Sequence, residues 1–202
     1  MYSIKLIGIG AIARVGKDTL ADCFVKLFEM DGCVAKKYSL ASALKNDLKD
    51  FLMEKCNMDV WSQDTVEKSK FRDFLVSYGK IQRNRTAGKY WTSILQKQIE
   101  KDALSNKDKK FVAIVPDIRY AEFAADEHMW VKSLGGTLIH LNRIENGNII
   151  EGANAEEKLN APKIEQYADF SIKWETVSNI EVDNINSYHY NVAKPIYNKI
   201  KI

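Results

Sequence analysis

Short apolar runs and longer stretches of helical periodicity alternate along the chain. The segments whose pattern is typical of strands are 4–10, 34–38, 111–116, 137–142 and 170–174. Between the first two, apolar residues spaced three or four apart predict a helix that begins at Lys17 and ends at Asp31-Gly32. Strands that alternate with helices are typical of a parallel sheet with crossover helices. The pattern therefore predicts an α/β fold whose ligands bind at the carboxyl ends of the strands.

The remaining segments are more polar. Residues 40–105 are mostly helical in periodicity and highly charged, with Gly79 and Gly88 predicted to break the helices. Residues 144–162 are polar and rich in Gly and Asn, which predicts a mobile loop. Two further helices are predicted, over 120–134 and 188–200. A helical insertion and a long polar loop thus interrupt the alternation of strands and helices.

Composition narrows the class of protein. A chain of 202 residues suffices for one α/β domain with a core of its own. Its 30 Lys and Arg nearly balance its 27 Asp and Glu, which argues against a nucleic-acid partner. Cys23, Cys33 and Cys56 form no CxxC pair and predict reduced thiols, neither a disulfide framework nor a zinc site. The apolar start is too short to span a membrane and lacks a signal-peptide layout, so we expect a soluble cytoplasmic protein with no membrane partner.

The first predicted strand leads into a segment with the features of a phosphate-binding loop. Such a loop needs glycine where the backbone approaches phosphate oxygens, successive inward N–H groups, a lysine, and a helix N-terminus behind it. Gly16-Lys17 stands where the predicted strand gives way to the helix. The residues predicted to bind the phosphates of a nucleoside triphosphate are Ala13, Arg14, Val15, Gly16, Lys17, Asp18 and Thr19.

Two departures from the usual loop affect its chemistry. Ala11 occupies the position of the first glycine, and Gly10 lies one residue earlier. Asp18 follows the lysine, where a Ser or Thr usually contacts magnesium, and the hydroxyl is displaced to Thr19. Asp18 either holds Mg²⁺ through a water molecule or only caps the helix, since the helix dipole favours an acid in the first turn.

Beyond the loop, the sequence resembles the bacteriophage deoxynucleoside monophosphate kinases along nearly its whole length. Phosphomevalonate kinases carry a loop similar to Gly16-Lys17-Asp18. The segments that carry the resemblance follow the family's order: 13–19 (ARVGKDT), 38–41 (YSLA), Leu44-Lys45, Phe71-Arg72, Gly79, Arg83, Tyr90-Trp91, 114–119 (IVPDIR) and 136–143 (GTLIHLNR). The chain departs from the family at Ala11 and at 120–122, where members often carry Asn-Glu.

The resemblance implies a P-loop kinase fold in a single domain over 1–202, with a parallel sheet of about five strands flanked by helices. The implied parts are a core at 1–38 and 106–202, a helical monophosphate-binding insertion at 39–105 and a short lid at 144–162. The implied reaction transfers the γ-phosphoryl group of ATP, with Mg²⁺, to a deoxynucleoside monophosphate, giving ADP and a deoxynucleoside diphosphate. The resemblance also suggests a homodimer, for which the sequence carries no pattern of its own.

Phosphoryl transfer depends on positioning and on stabilisation of a spread negative charge. Lys17 would bridge the β- and γ-phosphates of ATP. Asp117, at the end of an apolar strand, would order the waters of magnesium or orient the acceptor, or else cap the next helix. Arg119 would contact the acceptor phosphate or the moving group, and Arg143 would close over ATP from the lid. The candidate metal-binding residues are Asp18, Thr19 and Asp117.

The acceptor site is predicted within 38–100. Arg72 and Arg83 are about three helical turns apart, so they share one face if their helix is continuous. A guanidinium can bind phosphate with two parallel hydrogen bonds, and the resemblance favours Arg72. Lys45 is a weaker candidate because charged helix faces are usually only solvated. Trp91 either stacks on a base or belongs to the core.

Two other classes of function stay open. A P-loop kinase of another small phosphorylated acceptor, similar to phosphomevalonate kinase, would keep the triphosphate half and change the acceptor. A nucleotide-binding protein without catalysis would bind ATP and transfer nothing. Two arginine-bearing strand ends and an arginine-bearing insertion hold more cations than a passive ATP sensor needs, which favours a kinase.

Overall fold

The fold centres on a sheet of parallel strands with helices on both faces. The computed structural model describes residues 4–177, 184 and 187–201. Its strands are β1 (Ile4–Gly10), β2 (Val34–Lys37), β3 (Phe111–Ile118), β4 (Thr137–Glu145), β5 (Asn148–Ile149) and β6 (Phe170–Glu175). Five strands pair in parallel in the order β2-β3-β1-β4-β6, and β5 pairs antiparallel with the end of β4. The predicted α/β class with about five parallel strands is confirmed.

The helices cover both faces because alternate strand residues point to opposite sides. They are α1 (Lys17–Met30), α2 (Leu40–Cys56), α3 (Thr65–Arg85), α4 (Lys89–Ser105), α5 (Glu127–Ser133), α6 (Ala155–Tyr167) and α7 (Tyr188–Ile200). Ile7 and Ile9 of β1 join the apolar layer under α1 and α7. Leu6 of the same strand joins the opposite layer, to which α2, α4, α5 and α6 contribute.

The insertion between β2 and β3 has a small apolar cluster of its own. Leu48 and Leu52 of α2 pack there with Val60 and with Phe71 of α3. α4, in contrast, packs against the main sheet through residues such as Leu95. The start of α2 and the whole of α4 therefore anchor the insertion, and α3 lies farthest from the sheet.

The predicted helix break at Gly79 is wrong. α3 continues through this residue, where a Cβ would lie 3.3 Å from Cδ2 of Leu44. The carbonyl of Gly79 also accepts a hydrogen bond from Nε1 of Trp91 at 3.1 Å. Glycine here allows close approach of α2 to α3 and does not end the helix. Gly88 does separate α3 from α4, with a φ of 95° that favours glycine.

Two further sequence predictions need correction. Of the helix predicted over 120–134, only α5 forms, because Oδ2 of Asp126 binds the backbone N–H groups of Glu122 and Phe123, each at 2.7 Å. The segment 144–162, predicted as a loop, contains the end of β4, the strand β5 and the first half of α6. The side chain of Asn154 starts α6 by accepting from the N–H of Glu157 at 2.9 Å.

Two predictions from composition can be compared with the structure. Cys23, Cys33 and Cys56 are free, as predicted. None of the helices in the described part of the chain combines the length and the apolar character that a membrane span requires.

Candidate active site

The segment between β1 and α1, predicted as a phosphate-binding loop, packs closely against the rest of the fold. Gly16 has a φ of 92°, and a Cβ at this position would lie 2.5 Å from Cζ2 of Trp174. A Cβ at Gly10 would collide with the side chain of Ile164. Ala11, at the position of the first glycine of the usual loop, is buried and accommodated. The close approach that requires glycine therefore falls on Gly10, one residue before the usual position.

Three consecutive residues of the loop are held by side chains from three different elements. The hydrogen bonds are Ala13 N–H to Oε1 of Glu157 (3.0 Å), Nη1 of Arg143 to the carbonyl of Arg14 (3.0 Å) and Nε1 of Trp174 to the carbonyl of Val15 (2.7 Å). Arg14 has a φ of 63°, a conformation that is costly for a residue with a side chain. External hydrogen bonds on both sides of this residue offset that cost and fix the loop.

Arg143 lies against the loop and belongs to β4. Besides its bond to the loop, it donates from Nε to Oγ1 of Thr176 at 2.6 Å. It borders a small cavity together with Thr19, Gly16 and Trp174. In this arrangement Arg143 supports the loop backbone, and contact with the phosphates of ATP stays a prediction.

A cavity of about 540 Å³ opens between the loop, the end of β3 and the helices α2, α3 and α6. The predicted site residues on its wall are Lys17, Asp18, Arg72, Trp91, Asp117 and Arg119. The predicted residues that do not reach this wall are the loop residues Ala13, Arg14, Val15, Gly16 and Thr19, together with Lys45, Arg83 and Arg143. Tertiary structure thus brings the loop, a strand end and the insertion to one space.

The cations on this wall make it suited to an anion. Lys17 is only 8% exposed, and it pairs with no carboxylate among the residues that the structure describes. Burial lowers the pKa of Lys17, and the nearby charge of Arg119 lowers it further. Three carboxylates act on this pKa in the opposite direction: Asp18, Asp117 and Glu157. A phosphate placed beside Lys17 and Arg119 would relieve the repulsion between the two cations.

Both carboxylate oxygens of Asp117 bind the N-terminus of α2. Oδ2 accepts from Oγ of Ser39 at 2.6 Å and from the N–H of Ala41 at 3.0 Å. Oδ1 accepts from the N–H of Leu40 at 3.1 Å. Asp117 therefore caps a helix, as one sequence interpretation allowed, but the helix is α2, earlier in the chain, and not the next element. Its carboxylate ties the insertion to the end of β3.

Glu127 is a buried carboxyl on the cavity wall that the sequence interpretation missed. Its Oε2 accepts from the N–H of Arg119 at 2.5 Å and from that of Tyr120 at 3.1 Å. Burial raises the pKa of Glu127 to about 8 in spite of these bonds, and the nearby charges of Asp117 and Asp126 add to the rise. The carboxyl is therefore mostly protonated near neutral pH, and it holds the backbone that carries Arg119.

Arg72 and Arg83 lie on one continuous helix in different surroundings. Arg72 is exposed on the cavity wall. Arg83 is 4% exposed, and its Nε and Nη2 donate to the two oxygens of Asp126 at 3.0 and 2.8 Å. Its guanidinium also lies 4.0 Å from the ring centroid of Tyr120. The geometry favours a structural role for Arg83, which fastens the loop 119–126 to α3.

Lys45 and Trp91, the other two predicted acceptor residues, also lie in different surroundings. Nζ of Lys45 lies 4.9 Å from the ring centroid of Trp61, away from the cavity wall. Trp91 is 7% exposed, bonds to Gly79 and contacts the ring of Tyr90 edge to face. Most of the Trp91 ring therefore belongs to the core, and its remaining edge borders the cavity.

The candidate metal ligands do not lie together in the structure. Asp18 borders the main cavity beside Lys17, whereas Thr19 borders the small cavity beside Arg143. Within the described ranges, no group of three His, Cys, Asp or Glu residues could hold a metal ion. Mg²⁺ in phosphate-transfer sites usually takes one or two carboxylates and completes its shell with phosphate oxygens and water. Asp18 can supply one such carboxylate. Asp117 is less suited, because both of its oxygens already accept hydrogen bonds.

Glu157 is a further loop contact, and it comes from the polar segment 144–162. Asn154 and Glu157 have the spacing of a capping box, a signal of a helix start that could have located α6. No sequence signal pointed to Glu127, whose partners are backbone N–H groups, or to Trp174, whose partner Val15 lies 159 residues away.

Comparison with known proteins shows only remote structural likeness. No family model matches the sequence, and no curated protein matches it. Among solved structures, dephospho-CoA kinase from Campylobacter jejuni is similar at 16% identity over 98% of both chains, with a TM-score of 0.47. APS kinase from Mycobacterium tuberculosis is similar at 10% identity over 100% of both chains, with a TM-score of 0.42. Shikimate kinase from Aquifex aeolicus is similar at 15% identity over 96% of this chain and 98% of its own, with a TM-score of 0.41.

Proposed function

We propose that the protein transfers the γ-phosphoryl group of ATP to a deoxynucleoside monophosphate. The observation that carries this proposal is the single cavity whose wall joins the phosphate loop to the helical insertion. Lys17 contributes from the loop, Arg119 from the end of β3, and Arg72 from the insertion. Such a wall suits two phosphorylated ligands that meet end to end.

The donor end fits a triphosphate. The N-terminus of α1 and the successive N–H groups of the loop form an anion site of the kind that cradles phosphates. Lys17 lies at the first position of α1, buried and without a carboxylate partner in the described ranges. Its ammonium is therefore available to the β- and γ-phosphates.

The acceptor end fits a group that is already ionised. A hydroxyl acceptor needs a base that takes its proton. Among the carboxylates at this end, Asp117 already accepts three hydrogen bonds, one oxygen of Glu127 accepts two, and Glu156 is paired with Lys80. A phosphate oxygen is deprotonated before it attacks and needs no such base. The guanidinium groups of Arg72 and Arg119 offer the planar donors that bind phosphate.

The part of the wall that the insertion supplies is mostly apolar. Its side chains are Leu40, Leu44, Leu75, Val76 and the edge of Trp91. A flat ring buries apolar area against such a wall, which supports a nucleotide acceptor with its base on the side of the insertion.

Transfer would depend on the fixed cations of the wall. As the γ-phosphoryl group moves, its charge spreads over three oxygens, and Lys17 and Arg119 are positioned to stabilise it. A cation used in this way contributes about 3–5 kcal/mol to the rate. Glu127 keeps the backbone of Arg119 in place. Mg²⁺, held through Asp18 and phosphate oxygens, would neutralise phosphate charge when bound.

The direct test is a coupled assay with ATP, Mg²⁺ and each of the four deoxynucleoside monophosphates, with the products separated by chromatography. We expect ADP and the matching diphosphate in equal amounts for at least one acceptor. The ribonucleoside monophosphates form a second arm that measures the preference for deoxyribose. Turnover with phosphomevalonate and with none of the nucleotides would replace this proposal by the other kinase class. ATP binding without transfer to any acceptor would indicate a nucleotide-binding protein without catalysis.

A further inference from the structure

The first turn of α6 is bound to the phosphate loop through one carboxylate. Oε2 of Glu157 stays within its own segment and accepts from the N–H of Ala153 at 3.1 Å. Oε1 crosses to the loop and accepts from the N–H of Ala13 at 3.0 Å, a contact between residues 144 apart in sequence. One oxygen therefore serves the helix start, and the other serves the loop.

A carboxylate in this position lies where the loop is suited to receive anions. The N–H groups of a phosphate-binding loop are its means of holding phosphate oxygens. Glu157 is close enough to Lys17 to act on its ammonium electrostatically. A triphosphate that occupies the loop would bring several negative charges next to this carboxylate, and both anions would compete for the same N–H group.

The neighbouring residue connects the same helical turn to the acceptor side. Glu156 lies 3.5 Å from Nζ of Lys80 on α3 through Oε1, and its Oε2 accepts from the hydroxyl of Tyr120 at 3.4 Å. Glu156 borders the main cavity, whereas Glu157 borders a separate cavity of about 480 Å³ with Ile12. The first turn of α6 thus spans the space between the loop and α3.

We propose that Glu157 is a donor-competing residue: its carboxylate holds the Ala13 N–H, and the phosphates of the donor displace it. The inference rests on the donor half of the proposed function and not on the identity of the acceptor. Displacement frees the first turn of α6 from the loop. Because Glu156 belongs to the same turn, donor binding then alters the wall at Lys80 and Tyr120. Glu157 in this way limits the affinity for the donor and links the loop to the acceptor side.

The test is calorimetric titration of the full chain with Mg·ATP, without an acceptor, for the wild type and for Glu157→Gln and Glu157→Ala. Gln removes the charge and keeps an oxygen that can accept from Ala13, so it keeps the local geometry. Ala removes the competitor altogether. We expect both variants to bind Mg·ATP more tightly than the wild type. For Glu157→Ala the gain in affinity should be about tenfold, which corresponds to one hydrogen bond to a charged group. Inorganic triphosphate should show the same gain, since the competition concerns phosphates and not the base.

Glu151→Gln is the matched control, because it removes the same negative charge six residues before Glu157. The side chain of Glu151 is 82% exposed and pairs with Lys158. The affinity of this variant for Mg·ATP should stay within about twofold of the wild type. Unchanged or weaker binding by Glu157→Ala would overturn the inference and identify Glu157 as a support of the loop. An equal gain in Glu151→Gln, or a gain for ATP without one for triphosphate, would overturn it too. If no protein bound Mg·ATP at all, both this inference and the proposed function would fail.

Discussion

The two ends of the main cavity are built in different ways. The proposed donor end is one continuous segment, 10–19, that joins a strand to a helix. The proposed acceptor end is assembled from the start of α2, the middle of α3, the start of α4 and the end of β3. At the donor end the residues are brought together by one stretch of chain, although distant side chains then hold Ala13, Arg14 and Val15. At the acceptor end a side chain reaches the cavity only if several elements pack correctly.

Arg72 and Arg83 show the consequence of this difference. They share a helix, and both are arginines in a charged sequence, yet one faces the cavity and the other is buried in an ion pair. Residue type and helical spacing identified both as phosphate ligands. Only the packing of loop 119–126 against α3 separates them.

The largest expected effect is at the donor end. Lys17→Ala should lower turnover by about 10³-fold or more, because it removes the buried ammonium at the start of α1. Its stability should be close to that of the wild type, since Lys17 has no ion-pair partner in the described part of the chain. A coupled assay and thermal unfolding measure the two quantities. Lys49→Ala, at an exposed position of α2, is the control and should stay active. Turnover near normal in Lys17→Ala would refute the donor site.

The second prediction compares the two arginines directly. Arg83→Met should lower the free energy of unfolding by about 3–5 kcal/mol, because it leaves Asp126 buried without its partner. Arg72→Met makes the same change at an exposed position, and its stability should change by only about 0.5 kcal/mol. It should instead raise the KM for the acceptor by about tenfold and leave the KM for ATP unchanged. Urea unfolding and steady-state kinetics test both variants. Equal losses of stability would contradict the difference between the two positions.

The third prediction concerns Glu127, which borders the cavity and holds the backbone of Arg119. Folding raises the pKa of Glu127 to about 8, so between the usual carboxyl range and about pH 8 the folded protein binds more protons than the unfolded chain. The contribution of Glu127 to the free energy of unfolding is therefore fully present at low pH and is lost as the pH rises through this window. Glu127→Gln has no such titration and can still accept both backbone bonds through its amide oxygen. Relative to the wild type, it should gain about 3–4 kcal/mol in unfolding free energy between about pH 5 and about pH 8. A constant difference across this range would show that Glu127 does not titrate there.

The smallest expected effect tests the supports of the donor loop. Trp174→Phe keeps most of the ring and removes the hydrogen bond from Nε1 to the carbonyl of Val15. A neutral hydrogen bond of this kind contributes about 1 kcal/mol, so affinity for Mg·ATP should fall by about threefold to tenfold. Trp130→Phe, whose Nε1 bonds to Gln96 away from the loop, is the control. The same loss of affinity in both variants would mean that the support of the loop is not the cause.

Several features could be predicted from the sequence because they depend on near neighbours. The parallel sheet, α1, α7 and the position of the proposed phosphate loop all follow from local periodicity and from Gly16-Lys17. The predictions that failed involved side-chain contacts that hydrophobic periodicity does not encode. Asp126 binds the backbone that would have extended α5, and Gly79 makes room for Leu44 within a continuous α3.

By itself the sequence determined the α/β architecture and the place where phosphates are expected, because a strand, a glycine-bearing loop and a helix start are specified by adjacent residues. Only the tertiary structure decided what individual charged side chains do. Asp117 caps a helix about 77 residues earlier, Arg83 pairs with a carboxylate 43 residues later, and Glu157 reaches a loop 144 residues earlier. Hydrogen bonds and ion pairs depend on distance in space, and over such separations in sequence that distance is set by the packing of the whole sheet and its helices.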